Sequence, residues 1–221
     1  MDDRRSAAPE RNTDGEPEVA PAGRRDRFAF VVSAITSPFL VTGLTALAVA
    51  WLLHPTWLDI LIWGGITGLS TAVVPFLIVF LLWRTGRVTD MHVALREQRA
   101  IPFIGALVSA ACGLVALRAV GAPVELIALG AAFIVNGAVL TVVTLAWKAS
   151  VHAATLAGCI LGLSLVGSPQ FLWLGLALPV VFWARMRRKR HTLAQGIVPV
   201  VLVSILTPIV YYCLAGWLGT G

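Results

Sequence analysis

An all-α fold, a polytopic transmembrane helical bundle of six to seven spans, is what this sequence predicts, and three of its features lead there. Hydrophobic residues fill 58% of the 221 positions and charged residues only 13%, with a mean hydropathy of +0.85, far from an ordinary soluble domain. The apolar residues gather in long runs, and about 20 of them suffice to cross a hydrocarbon core of roughly 30 Å. None of the runs alternates with period two as a barrel strand would, and in lipid only helices and closed barrels satisfy every backbone N–H and C=O internally.

The elements follow in order. Residues 1–27, MDDRRSAAPERNTDGEPEVAPAGRRDR, are rich in Pro, Gly, Glu, Asp and Arg. Such a segment buries too little apolar surface to order itself, so it is expected to be a disordered cytoplasmic tail, with 28–221 as the membrane domain. It is not a signal peptide, because no small-residue cleavage site follows a short apolar stretch and the run 28–53 is long enough to stay in the membrane. Further spans are expected at 57–83, 101–117 and 126–147. The run 149–186 is too long for one crossing and is interrupted by Gly167, Ser168, Pro169 and Gln170, so it divides into 149–166 and 171–186. A last span covers 196–217. Seven crossings result, or six if one segment re-enters or lies in the interface.

Within these spans Pro38, Pro75 and Pro179 predict kinks, and Asn136 predicts a hydrogen bond to a neighbouring helix. The tryptophans, with His54 and Pro55, fall mostly at span ends, as an aromatic belt does. Cys112, Cys159 and Cys213 lie inside apolar runs with no paired spacing and read as packing residues.

Seven crossings put sixteen of the seventeen Lys and Arg on the side of the tail, leaving Arg118 alone on the other. The positive-inside rule makes the first side the cytoplasm of a multi-pass cell-membrane protein. The net charge of +6 and pI near 10.0 hug the membrane boundary, where anionic headgroups account for them. Nucleic acid is therefore not an expected partner.

Three polar patches share that side: DMHVALREQR at 90–99, WKASVH at 147–152, and ARMRRKRHTLAQ at 184–195. Singly, each reads as a solvated loop with snorkelling arginines. Jointly they hold three of the four histidines, and their pattern resembles the type 2 phosphatidic acid phosphatase superfamily. That family's signature is Lys-x6-Arg-Pro, then Pro-Ser-Gly-His, then Ser-Arg-x5-His-x3-Asp. Here the first part is His92, six residues, Arg99, with a proline at 102 rather than 100; the second is Ser150, Val151, His152; the third is Ala184, Arg185, five residues, His191, three residues, Gln195. The intervals of 53 residues from Arg99 to His152 and 39 from there to His191 also resemble the family. His92 stands at the family lysine, Val151 at its glycine and Gln195 at its aspartate.

The resemblance implies a lipid phosphatase, and the chemistry of the residues runs parallel to it. Hydrolysing a phosphate ester needs charge neutralised on the equatorial oxygens, a nucleophile in line and a proton for the leaving oxygen. Arg99 and Arg185 are suited to grip phosphate with planar forks, with Arg96, Lys148, Ser150 and His92 as helpers. His191 is the expected nucleophile and His152 the acid that protonates the leaving alkoxide. Gln195, one turn beyond His191, is expected to accept the ring Nδ1–H and fix the tautomer.

No Asp or Glu follows Glu125, which disfavours enzymes that hold Mg²⁺ with carboxylates. A cation among His92, His152 and His191 would be repelled by the arginines, so neither metal nor cofactor is expected. The substrate class is a lipid phosphate, whether phospholipid or isoprenoid phosphate or diphosphate. The alternative is a non-catalytic membrane protein that binds or moves phospholipid headgroups.

Overall fold

The structure, a computed structural model, describes residues 23–53, 56–89, 91, 93, 95 and 98–219. Every regular element among them is helical. The expectations for residues 1–22, His54, Pro55, His92, Arg96 and Gly221 lie outside the described residues.

The chain enters helix α1 (Arg24–Ile35) and then α2 (Pro38–Leu52), which meet at 48°. The break has a local cause. Ser37 caps α2, its side chain accepting from the Leu40 N–H, and Pro38 takes the first-turn position where its missing N–H costs nothing. Helix α1 begins at Arg24, inside the segment expected to be a disordered tail. Tertiary contacts that composition does not reveal hold it: Asp26 pairs with Arg187 at 2.7 Å, Phe28 lies 5.8 Å from Trp183, and the Arg188 guanidinium sits 5.0 Å over Phe30.

Helix α3 (Trp57–Gly68) opens on a capping box in which Thr56 and Asp59 exchange hydrogen bonds. It continues through one π-helical turn, Leu69–Val73, into α4 (Val74–Arg84). Pro75 has no N–H to offer the Thr71 carbonyl four residues back, and the ladder adjusts by widening. The freed carbonyls find partners on neighbouring helices: Thr71 O accepts from Thr42 Oγ1 at 3.3 Å, and Ser70 O from Ser109 Oγ at 2.8 Å. That close approach requires Gly113, where a Cβ would collide with the Ser70 side chain. Gly113→Ala is expected to cost about 1–3 kcal/mol, as overpacking does. Thermal unfolding in detergent checks this, and Ser70→Gly in the same chain should restore much of the loss.

Helices α5 (Ala100–Ala119) and α6 (Val124–Ala146) follow, then α7 (Val151–Val166), a 3₁₀ stretch Pro169–Ala177, α8 (Leu178–Arg187) and α9 (Leu193–Gly219). The expected interruption near Gly167–Gln170 is present, but it continues as 3₁₀ helix and not as a simple loop. Four helical stretches are long and apolar enough to cross a membrane: Trp57–Arg84, Ala100–Ala119, Val124–Ala146 and Leu193–Leu218. The bent pair α1–α2 makes a fifth if it counts as one span, and α7 is a shorter apolar helix. This is an all-helical architecture with four to five such stretches.

Helix α9 packs on α6 and α7, α2 on α3 and α7, α5 on α6, and α1 on α8. Small residues permit the close approach: Ala128 and Ala132 on α6, Ala153, Ala154 and Ala157 on α7, and Ala184 on α8 are all buried. Asn136 donates to Thr207 Oγ1 at 2.8 Å, joining α6 to α9 as the sequence led us to expect.

Candidate functional site

Five helix ends meet at one end of the bundle. Arg99 caps α5, Lys148 follows α6, His152 stands in the first turn of α7, Arg185 in the last turn of α8, and His191 just ahead of α9. The two later segments are tied together by backbone, the Ser150 N–H donating to the Gln195 carbonyl at 2.8 Å. Helix α8 stops in a Schellman turn: Arg190 N–H donates to Arg185 O and Lys189 N–H to Met186 O. Lys189 takes the left-handed position, φ +51°, that usually falls to glycine. This turn swings the chain so that His191 faces back toward Arg185. Thr192 and Gln195 then form a capping box for α9, Gln195 Oε1 accepting from the Thr192 N–H at 3.0 Å and Thr192 Oγ1 from the Gln195 N–H at 3.3 Å.

Arg99 is fixed from the other flank. Its Nε donates to the Val93 carbonyl at 3.1 Å, and Val93 itself has φ +49°, a strained conformation for a β-branched residue. Burial of Val93 with Val79 and Val88, against Phe39, Leu82 and Met91, holds that conformation in place.

The electrostatics are those of an anion site. Arg99 and Arg185 are each 5% exposed and His152 is 7% exposed. The His191 imidazole is pushed down to about 2, first by burial and then by the charges of Arg185, Lys148 and Arg99. It is therefore neutral at physiological pH, with a lone pair to give. Helices α5, α7 and α9 also present their positive N-termini here, partly offset by the C-termini of α6 and α8.

Arg99, His152, Arg185 and His191 line one end of a cavity of about 740 Å³. Away from that end the wall is mostly apolar, interspersed with threonines and Asn136 and free of charged side chains. Along α6 it runs from Thr144 through Leu140, Phe133 and Leu129 to Leu126, a rise of roughly 27 Å at 1.5 Å per residue. None of the described lining residues is acidic, and no group of three or more His, Cys, Asp or Glu comes together among the described residues.

The structure thus brings together four of the residues singled out from sequence, Arg99, His152, Arg185 and His191. Lys148 stands close enough to act on His191 without lining the cavity, and Ser150 lies behind the wall with its Oγ buried and partnerless. Gln195 is shared between two neighbours: its Oε1 accepts from the Thr192 N–H of the helix cap, and a side-chain hydrogen bond to His191 favours the charged ring, against burial and the three cations, although His191 Nδ1 itself makes no well-aligned hydrogen bond. His92 and Arg96 are outside the described residues.

Two features escaped sequence reasoning. Arg190 is only 2% exposed, as buried as Arg99 and Arg185, and its position in the Schellman turn is the signal that could have marked it. Thr141 and Thr144 place hydroxyls on the cavity wall, which their three-residue spacing on α6 foreshadows.

An anion in this site should lift His191. Adding inorganic phosphate or vanadate is expected to raise its titration midpoint by about 1–3 pH units, since a negative charge a few ångströms away offsets the cations. Histidine-selective NMR across acid pH reads this, and an unmoved midpoint would place the anion elsewhere.

No protein-family model, no curated protein and no solved structure matches this chain.

Proposed function

We propose that the chain is an integral-membrane lipid phosphatase that hydrolyses a phospholipid or isoprenoid phosphate through a phosphohistidine, without a metal. One observation carries this reading: two buried arginines and two histidines, drawn from four helix ends and 92 residues of sequence apart at the extremes, cap a cavity that is otherwise uncharged and mostly apolar. A cationic mouth on an apolar shaft is complementary to a phosphate on a hydrocarbon chain.

In this scheme Arg99 and Arg185 hold the phosphoryl oxygens and Lys148 adds long-range positive potential. A ring nitrogen of neutral His191 attacks phosphorus as the bond to the lipid oxygen breaks, and His152 delivers a proton to that oxygen. His152 then takes a proton from water, whose oxygen attacks phosphorus and releases the His191 nitrogen. The negative charge of bound phosphate offsets the cations that, together with burial, keep His191 neutral, so the imidazolium-like phosphohistidine forms in a better-matched field.

The same reading takes seven crossings, with α1–α2, α7 and the 3₁₀–α8 unit each completing a span beside the four long ones. Sites and N-terminus are then cytoplasmic in the cell membrane and Gly221 is not. Cysteine reporters at the two termini should differ in accessibility; equal labelling from one side would contradict the odd number of crossings.

A second reading has a specific observation behind it. Gln195 stands where a carboxylate would support the imidazolium and is shared with the helix cap, which favours a protein that binds or moves headgroups without hydrolysing them. Phosphate release from a panel of lipid phosphates in detergent with EDTA decides between the two: turnover supports the phosphatase, and silence across the panel supports the binder.

A further inference from the structure

Below the arginine–histidine mouth, the most exposed part of the described cavity wall lies on one flank. Among its described lining residues, only Leu40, Val73 and Phe76 are more than a third exposed, at 44%, 46% and 40%. All three lie on a single flank, between the first turn of α2 and the π-turn with its continuation into α4. Toward the mouth the opening is bounded by Phe39, which packs edge-on against Phe76 at 5.6 Å and joins the Val88 and Val93 cluster. Away from the mouth it is shut by close helix contact, since a Cβ on Gly43 would lie 3.5 Å from that of Ala72. The surface around the opening is apolar and exposed, including Leu44, Leu47, Leu69 and Leu77.

Both edges of this window are irregular helix. One follows the 48° bend at Ser37 and Pro38, and the other contains the π-turn ahead of Pro75. Such places shift with little loss of hydrogen bonding, because the ladder is already interrupted.

We propose that this window is a lateral portal, through which one hydrocarbon chain of a lipid phosphate slides from the bilayer into the bundle. The chain then lies inside the cavity, among α2, α6 and α7, while its phosphate sits at Arg99, Arg185 and the two histidines. This rests on the reading of that mouth as a lipid-phosphate site. The occupant is one chain and not two: the volume of about 740 Å³ falls among pockets for single small ligands, roughly 300–1,000 Å³. The apolar wall and the cationic end select hydrocarbon with one anionic head.

The test uses the full-length protein in phospholipid vesicles and a single-chain lipid phosphate carrying a diazirine at the end of its chain. After photolysis, adducts are expected on inner residues such as Leu126, Leu129 and Gly162. Leu40→Trp with Val73→Trp adds bulk at exposed edges of the window and should remove those inner adducts. It should also remove most turnover of the lipid, while hydrolysis of a short water-soluble phenyl phosphate is unchanged. Phe76→Ala should increase inner labelling. Adducts confined to outward-facing residues such as Leu44 and Leu47, indifferent to the tryptophans, would overturn the portal. Equal loss of lipid and soluble substrate would overturn it as well, because the tryptophans would then be acting on the site and not on entry. Inner adducts without any turnover would support the portal and count against hydrolysis alone.

Discussion

His191→Ala is expected to abolish phosphate release from every lipid phosphate the protein turns over, a loss on the order of 10⁴-fold or more, as for deletion of a nucleophile or its base in serine proteases. The burial of the ring and the three surrounding cations keep His191 neutral, which is the state a nucleophile needs. Gln195→Asp is the informative companion. The chain already uses aspartate at the corresponding position of another cap, where Asp59 serves Thr56 at the start of α3, so the α9 cap should survive the change. A carboxylate there would raise the His191 midpoint and steady the imidazolium, leaving turnover intact or faster. Rates measured with both variants check the assignment. An active wild type indifferent to His191→Ala would remove His191 from the chemistry.

Arg185→Gln is expected to weaken phosphate binding by about 1.5–3 kcal/mol, typical of a lost charge-assisted hydrogen bond. The same substitution should move the His191 midpoint upward, because the strongest of the charges holding it down is gone. These two effects have one cause and should appear together. Vanadate affinity by calorimetry and the His191 titration by NMR measure them independently. A variant with weakened binding and an unchanged His191 midpoint would separate Arg185 from the site.

Much of this was legible in the sequence because it follows from local rules. Long apolar runs without period-two alternation can only be helices in lipid, and the break at Gly167–Gln170, the bend at Pro38 and the Asn136 contact all came from residue types with narrow conformational or hydrogen-bonding demands. Arg99, His152, Arg185 and His191 were legible because their order and intervals resemble a known family's signature. What escaped depends on tertiary partners. Helix α1 begins at Arg24 because Arg187, Trp183 and Arg188 lie against it, and no tail composition discloses that. Gln195 was assigned to His191 by its four-residue offset, but Thr192 three residues before it competes for the same oxygen. The π-turn came from Pro75 together with acceptor-seeking hydroxyls on two other helices, which sequence does not pair.

The most direct test is a covalent trap. The protein in detergent with EDTA is mixed with a lipid phosphate labelled at phosphorus, quenched in base within one turnover, and its labelled peptide is mapped. The account predicts alkali-stable, acid-labile label on His191, absent from His191→Ala. Turnover by the wild type with no label on His191, or with label on another residue, would contradict it.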